Sequence, residues 1–364
     1  MDYKIDLISS IGKITFFLML VLSVFLFTVK TVRKAPNRLL GSLLLIIAFD
    51  LSGFFIGEWF EARANLNIIK TVSSLLQMPL FYLYVQSACY SDFKLKTWQS
   101  AHGIPALVFL ILFWATSFST TSIHLFEIVG ELQWFAYMIA VFIVLKRRKD
   151  IYQENYSQPS PKIYKWLFQF AIISCVGHSF VFIRWILSLA QPDQENLNIN
   201  VIISFSTLFI MTWFVFKALY NPILFSGVQS TQKLLKSKNY EKLSHAHSVQ
   251  LRKEIVRLQH FMVQEKPYLD FELTLQKLAA QINISEKELS LAINHHLGKH
   301  FFDFVNEYRI AEAKTILSSV EQKNLTILEV LYQVGFNSKS SFYTAFKKAT
   351  DQTPTDYRKA KLAN

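Results

Sequence analysis

The chain has 364 residues, of which 52% are hydrophobic, 15% aromatic and only 18% charged. That length suggests two or three domains, and the charged share falls below the roughly 25% of ordinary soluble domains, which argues against a single soluble globular domain. The formal net charge of +12 divides into +6 over residues 1–220, +5 over 221–264 and +1 over 265–364, so the basic balance alone does not mark the C-terminus as nucleic-acid binding.

In chain order, the first 220 residues hold seven apolar stretches, near 8–29, 39–58, 68–90, 103–121, 128–146, 163–189 and 198–219. A bilayer core needs about 20 mostly apolar residues per helix, so each reads as a transmembrane span. The first run is too long for a signal peptide, and no small-residue cleavage site follows it before Lys30. One set of connecting loops carries 11 Lys and Arg: Lys30, Arg33, Lys34, Arg38, Lys94, Lys96, Lys146, Arg147, Arg148, Lys149 and Lys162. The opposite set carries 3, Lys4, Arg63 and Lys70, beside Glu127, Glu131, Asp193 and Glu195. Cationic loops stay in the cytoplasm, which predicts an external N-terminus and a cytoplasmic C-terminus. Trp59, Trp134 and Trp185 fall near the outer ends and Trp98 and Trp166 near the inner ends, as interfacial anchors do. Pro79 and Pro105 predict kinks.

Asp50, His178 and Arg184 lie inside predicted spans. Ionisable groups in lipid are costly and face the bundle interior, paired or wet. At about 1.5 Å per residue, Asp50 and His178 stand roughly 17 and 22 Å into their spans, a depth at which they can meet. Arg184 is placed to reach Glu58. Two readings stay open for the three groups: structural polar contacts between helices, and a site for a ligand or proton. Cys89 and Cys175 are the only cysteines, both in apolar stretches, so no disulfide framework or zinc spacing exists. His295, His296 and His300 cluster without further Cys or His neighbours and read as surface or phosphate-facing groups. No cofactor and no metal is expected.

Residues 221–248 form a basic cytoplasmic linker suited to lie near anionic headgroups. From Val249 a helix shows Leu251, Ile255, Leu258 and Met262 on one face. Beyond Lys266-Pro267 two segments share one plan. In the first, about 274–295, Leu275, Leu278 and Ala279 precede a turn at Asn283, and Ser285 with Glu288 forms a capping box ahead of Leu289 and Ile293. In the second, about 326–348, Thr326 and Glu329 form a capping box, Gly335 supplies the turn, and Ser338 caps the next helix. Helix, tight turn, capped helix is the helix-turn-helix layout, whose second helix enters the major groove. The two units are separated by a predicted long helix at 302–317.

Val334-Gly335-Phe336-x-Ser338, Phe342-x-x-x-Phe346-Lys347-Lys348 and Thr353-Pro354-x-x-Tyr357-Arg358 resemble the signature of AraC/XylS regulators. Leu297-Gly298-Lys299-x-Phe301, Tyr308-Arg309 and Ala313-x-x-x-Leu317 resemble its first half, and the likeness covers about 255–361. It implies two recognition helices entering successive major-groove segments on one DNA face, and the family includes bacterial members with polytopic membrane N-termini. Three departures stand out. Leu331 replaces a small residue, which implies a slightly wider helix pair. Asp351 stands in the stretch where a glycine commonly precedes the Thr-Pro. Leu291 stands where the first recognition helix often carries a basic reader, which implies apolar contact only.

Residues 265–338 are net −3 and 339–364 net +4, so the second unit is expected to dominate phosphate attraction. Candidate DNA contacts are Lys287, Ser290, Leu291, Asn294 and Lys299 in the first unit, and Lys339, Ser340, Ser341, Thr344, Lys347, Lys348 and Arg358 in the second. The reading is therefore an all-α chain: a polytopic membrane bundle over 1–220, the linker, and an AraC-type DNA-binding domain over 249–361. Function is expected to be signal-dependent transcription regulation from the bacterial cytoplasmic membrane. The partners are double-stranded DNA, lipid, the transcription machinery and an unidentified signal; homodimerisation is left open. Alternatives are a factor released by proteolysis, or a transporter-like or receptor membrane protein with a regulatory helical appendage. No glycine-rich nucleotide loop, nucleophile constellation or phosphoacceptor site speaks for an enzyme.

Overall fold

The structure is a computed structural model that describes residues 2–30, 34–90, 93–157, 162–190, 197–220 and 245–362. It is all-α, and the described residues hold no β-strand beyond one isolated antiparallel bridge, Tyr156 to Thr274. The chain divides into two compact units: Met1–Lys146 with Lys162–Gln232, and Arg147–Pro161 with Lys233–Asn364. The segment Arg147–Pro161, read from sequence as a loop of the membrane half, thus groups with the second unit. Residues 221–244 of the expected linker lie outside the described residues.

The first unit contains α1 (Asp2–Thr28), α2 (Lys34–Leu51), α3 (Gly53–Glu61), α4 (Ala64–Ser73), α5 (Gln77–Cys89), α6 (Ile104–Thr116), α7 (Thr120–Asn155) up to Lys146, α8 (Lys162–Ala190) and α9 (Leu197–Tyr220). Here α1 packs on α2 and α9, α2 on α5, and α8 on α9. Leu40, Val85, Val141, Leu167 and Ala171 form the fully buried centre. Among the described residues six helices are long and apolar enough to cross a membrane, or seven if the pair α2 and α3, bent by 65°, counts as one span. The bend falls at Leu51–Gly53, where the Ser52 hydroxyl donates back to the Phe49 carbonyl and Ile56 leaves helical geometry. Such back-bonding competes with the helix ladder.

Each proline stands inside a longer continuous helix, Pro79 in Ala64–Cys89 and Pro105 in Thr97–Thr116, where a 3-10 stretch passes into the α-helical part. Pro105 occupies the first turn of α6. Pro79 sits in the first turn of α5, after a 3-10 turn at Ser74–Leu76. A proline at 79 cannot donate to the carbonyl of Leu75. That carbonyl instead accepts from Gln133 Nε2 of α7 at 3.1 Å. Trp166, expected as an interfacial anchor, is 3% exposed and stacks on Phe170. Trp59 and Trp98 do lie exposed.

The second unit contains Arg147–Ser157, then α10 (His245–Gln264), α11 (Leu275–Gln281), α12 (Glu286–Leu291), α13 (Phe301–Ser318), α14 (Ile327–Gln333), α15 (Lys339–Thr350) and α16 (Pro354–Leu362). It has two cores. Leu258, Met262, Leu278, Leu289 and Ile293 fill the first, and Val330, Leu331, Val334, Phe342 and Phe346 the second, all 0% exposed. One helix joins them: α13 gives Phe301, Phe304 and Val305 to the first core, and Ile310, Ala313 and Leu317 to the second. Its apolar stripe recurs every three or four residues, so successive turns feed different cores along one face.

Candidate nucleic-acid interface

Each helix-turn-helix is set by local chemistry. In the first, the Thr274 hydroxyl accepts from Lys277 N at 3.1 Å and starts α11. Asn283 takes the left-handed turn conformation at φ 55°, which short polar residues tolerate. The Ser285–Glu288 capping box closes at 3.0 and 3.2 Å and starts α12. In the second half, Thr326 and Glu329 close the same box at 2.6 and 3.1 Å, and the Thr326 N–H and hydroxyl, both donating to the Glu329 carboxylate, hold that carboxyl below its ordinary pKa. Gly335 makes the turn at φ 85°. Ser338 occupies the cap position of α15, but its side chain makes no capping bond, contrary to expectation. Asp351, standing near the family's glycine, takes the left-handed position at φ 57° that ends α15.

The predicted readers differ in exposure and in their partners. On α15, Lys339, Ser340, Thr344, Lys347 and Lys348 are exposed and Ser341 is half-buried. Lys339 Nζ stands 5.5 Å over the Tyr343 ring, and the Thr344 hydroxyl turns back to the Ser340 carbonyl at 2.8 Å. Lys348 pairs with Asp303 of α13 at 3.2 Å. In the first helix-turn-helix Lys287 is exposed, Asn294 donates to the Ser290 hydroxyl at 3.2 Å, and Lys299 pairs with Glu307 at 2.6 Å.

Two assignments change. Leu291, expected on the DNA-facing side, is 7% exposed and packs with Ala292 against Ile255 of α10. Arg358, expected at phosphate, is half-buried and donates through Nη1 to the Leu325 carbonyl, which ties α16 to the residue just before the Thr326 cap. Its Nε and Nη2 are buried without an acceptor among the described residues.

The sequence reading did not assign a role to Arg309, the largest fully buried side chain among the described residues. Its Nε donates to the Tyr268 carbonyl at 2.7 Å and its Nη2 to the Asp270 carbonyl at 2.8 Å. Nη1 reaches the Ser157 carbonyl at 3.0 Å and Asn306 Oδ1 at 3.3 Å, and Nη2 also reaches the Ser157 hydroxyl at 3.2 Å. Burial pushes its pKa down to about 10, which leaves it charged at neutral pH. An unpaired buried charge costs roughly 3–5 kcal/mol; here five neutral oxygens surround the guanidinium. The Tyr308-Arg309 motif signalled the residue but not these partners.

Within the first unit, Asp50 and His178 do not form the expected cluster. Asp50 accepts from Gln77 Nε2 at 3.2 Å and lies within electrostatic reach of Lys70 and Arg184. His178 Nε2 meets Glu131 Oε2 at 3.0 Å, and its ring stacks on Trp134 at 3.8 Å. No Arg184–Glu58 ion pair forms among the described residues. Matched depth is a weak guide, because it leaves out the azimuth of each group around its helix.

The second unit is thus a double helix-turn-helix domain. Residues 278–360 match the helix-turn-helix domain family. An HTH-type transcriptional regulator of Staphylococcus aureus (strain COL) is 38% identical over 87 residues, 24% of this chain and 11% of that protein. The HTH-type transcriptional regulator YdeC of Bacillus subtilis (strain 168) is 34% identical over 88 residues, 24% of this chain and 29% of YdeC. Among solved structures, the C-terminal domain of AraT, a response regulator from Geobacillus stearothermophilus, is 30% identical, with a TM-score of 0.25 over 30% of this chain and 84% of that one. The chain therefore spans less than a third of the length of these curated relatives. The similarities all fall on the C-terminal part of the chain and support a DNA-binding helix-turn-helix domain there.

Proposed function

We propose that the chain is a membrane-integrated one-component regulator, in which the first unit receives a signal in the bacterial cytoplasmic membrane and the second binds operator DNA. The observation that carries this reading is the presence, in one chain, of the double helix-turn-helix and of helices with apolar outer faces. Phe17, Trp114, Leu132, Ile139, Ile143 and Phe209 are each 60–74% exposed. In water a large exposed apolar surface marks an interaction or aggregation face; lipid is the solvent that suits it. Loop charge orients the bundle with the C-terminus in the cytoplasm, beside DNA. Asp50 with Arg184, and His178 with Glu131, are the polar groups around which a sensing change is proposed. Lys287, Ser290, Asn294 and Lys299, and Lys339, Ser340, Ser341, Thr344, Lys347 and Lys348, are proposed to face DNA.

The test is a genome-wide map of DNA cross-linked to the full chain in cells, combined with membrane fractionation. Discrete operator peaks, with intact protein recovered in the membrane fraction, are expected. Peaks accompanied only by a short soluble C-terminal fragment would favour proteolytic release, and intact membrane protein without peaks would sink the regulator reading.

A further inference from the structure

Inside the second unit, Ser157 is far from its partners in sequence yet 1% exposed. Its hydroxyl donates to the Leu273 carbonyl at 2.7 Å, its N–H points at the same carbonyl at 3.4 Å, and its carbonyl and hydroxyl oxygens accept from Arg309. The neighbouring Tyr156 bridges Thr274, the cap of α11. One turn earlier, Glu154 interacts electrostatically with His300, the residue that opens α13. The bridge at Tyr156 and the hydrogen bonds of Ser157 therefore seat the chain at the end of α7 on this unit.

The seat lies at the joint of the two helix-turn-helix halves. Arg309 is on the helix shared by both cores, and its other bonds go to the turn at Tyr268–Asp270. Gly335, the turn of the second half, abuts that same stretch: a Cβ placed there would come within 2.5 Å of the Tyr268 carbonyl and 2.8 Å of the Leu269 carbonyl. Ser157 supplies two of the five oxygens that hold the guanidinium in place.

We infer that Arg147–Ser157 is a third, sequence-distant piece of the DNA-binding unit, docked where its two helix-turn-helix halves meet, so that α7 bears directly on the arrangement of the two DNA-reading helices. The inference rests on the regulator reading above for its consequence, though not for the docking itself. It makes a fragment cut anywhere in 221–244 an incomplete DNA-binding unit, because the docked segment stays behind on α7.

The docking is tested on the full chain in native membranes, in a Cys89→Ala, Cys175→Ala background with a protease site placed in 221–244. An antiparallel bridge holds paired Cα atoms about 4.5–5.5 Å apart, within disulfide reach. Tyr156→Cys with Thr274→Cys should therefore join the two cleavage products on mild oxidation and release them on reduction, whereas either cysteine alone should not. Two thiols that stay free and label with maleimide would overturn the docking. Thr274 caps a helix, so hydrogen exchange on the unmodified chain in nanodiscs supplies a second measure. Ser157 should exchange at least 100-fold slower than an exposed loop amide, and exchange at the unprotected rate would also overturn it. For the consequence, Ser157→Val should bind a duplex recovered from the genomic map about tenfold more weakly than the unmodified chain at the same salt, and equal affinity would overturn the coupling. Should the disulfide form while the unmodified chain binds no such duplex, the docking stands and the regulator reading falls.

Discussion

Ile255 of α10 lies against Leu291 of α12, in the place where the family resemblance led us to expect a DNA-facing reader. Apolar surface on α10 needs a cover, and a leucine at 291 provides it where a lysine or arginine would not. Leu291→Ala is accordingly expected to lower the stability of the second unit by about 2 kcal/mol and to leave sequence preference nearly unchanged. Lys339, exposed at the start of α15, is the contrasting case. A good bidentate base contact discriminates by about 1–3 kcal/mol, so Lys339→Ala should lower the ratio of operator to scrambled-duplex affinity more than Leu291→Ala does. Both affinities are measured at one fixed salt concentration, alongside thermal unfolding. A larger loss of that ratio in Leu291→Ala would show that the leucine reads DNA after all.

Lys347 and Lys348 are adjacent, exposed and in the last turn of α15, yet their surroundings differ. Lys348 has Asp303 at 3.2 Å, a carboxylate that competes with phosphate for its charge. Lys347→Ala should weaken binding to all sequences alike and flatten the plot of log affinity against log salt by about one. Lys348→Ala should show a smaller effect, and Asp303→Asn should tighten non-specific binding. Salt titrations on a scrambled duplex decide this; an Asp303→Asn chain with weakened binding would contradict the competition.

Asp50 pairs with Gln77 across α2 and α5, whereas His178 pairs with Glu131 across α8 and α7. The two pairs share no partner, so their effects on reporter output should combine independently, within about 0.3–0.5 kcal/mol. Glu131→Gln and His178→Ala act on one contact, and the double variant should add little to either single one. Output from the three single and two double variants, normalised to protein in the membrane, provides the comparison. Strong coupling between Asp50→Asn and His178→Ala would restore the single cluster that their similar depth suggested.

How much was legible in the sequence follows from the range of each interaction. Capping boxes at Ser285–Glu288 and Thr326–Glu329, and the turns at Asn283 and Gly335, are bonds between near neighbours, so spacing alone revealed them. The long helix between the two units was legible for the same reason: α13 observed over Phe301–Ser318 stands where 302–317 was expected. Partners across the chain were not. Gln133 answering the Leu75 carbonyl, Glu131 answering His178 and Ser157 answering Arg309 depend on which helix faces sit together, which periodicity does not encode. The family motif pointed to Arg309, but nothing in it names a serine 152 positions earlier.

Gly335 provides the sharpest test of the joint between the two helix-turn-helix halves. Two left-handed glycines, Gly298 at φ 64° and Gly335 at φ 85°, differ in what surrounds them. A Cβ on Gly298 would meet nothing within 4 Å, whereas one on Gly335 would meet two backbone carbonyls, of Tyr268 and Leu269, at 2.5 and 2.8 Å. Backbone cannot swing aside as a flexible side chain does, so Gly335→Ala must push the turn of the second half away from the turn at Tyr268–Asp270. Gly298→Ala should cost only the conformational penalty of the left-handed region, about 1–2 kcal/mol. Gly335→Ala adds displaced packing and should exceed about 3 kcal/mol, the range reserved for a disrupted core or joint. It should also disturb Arg309, whose Nε stands 3.0 Å from the same added carbon. Denaturant unfolding of the second unit in the full chain, followed by hydrogen exchange of the α13 amides, measures both variants under one condition. Equal destabilisation by the two substitutions would show that the close approach at Gly335 does not hold the halves together.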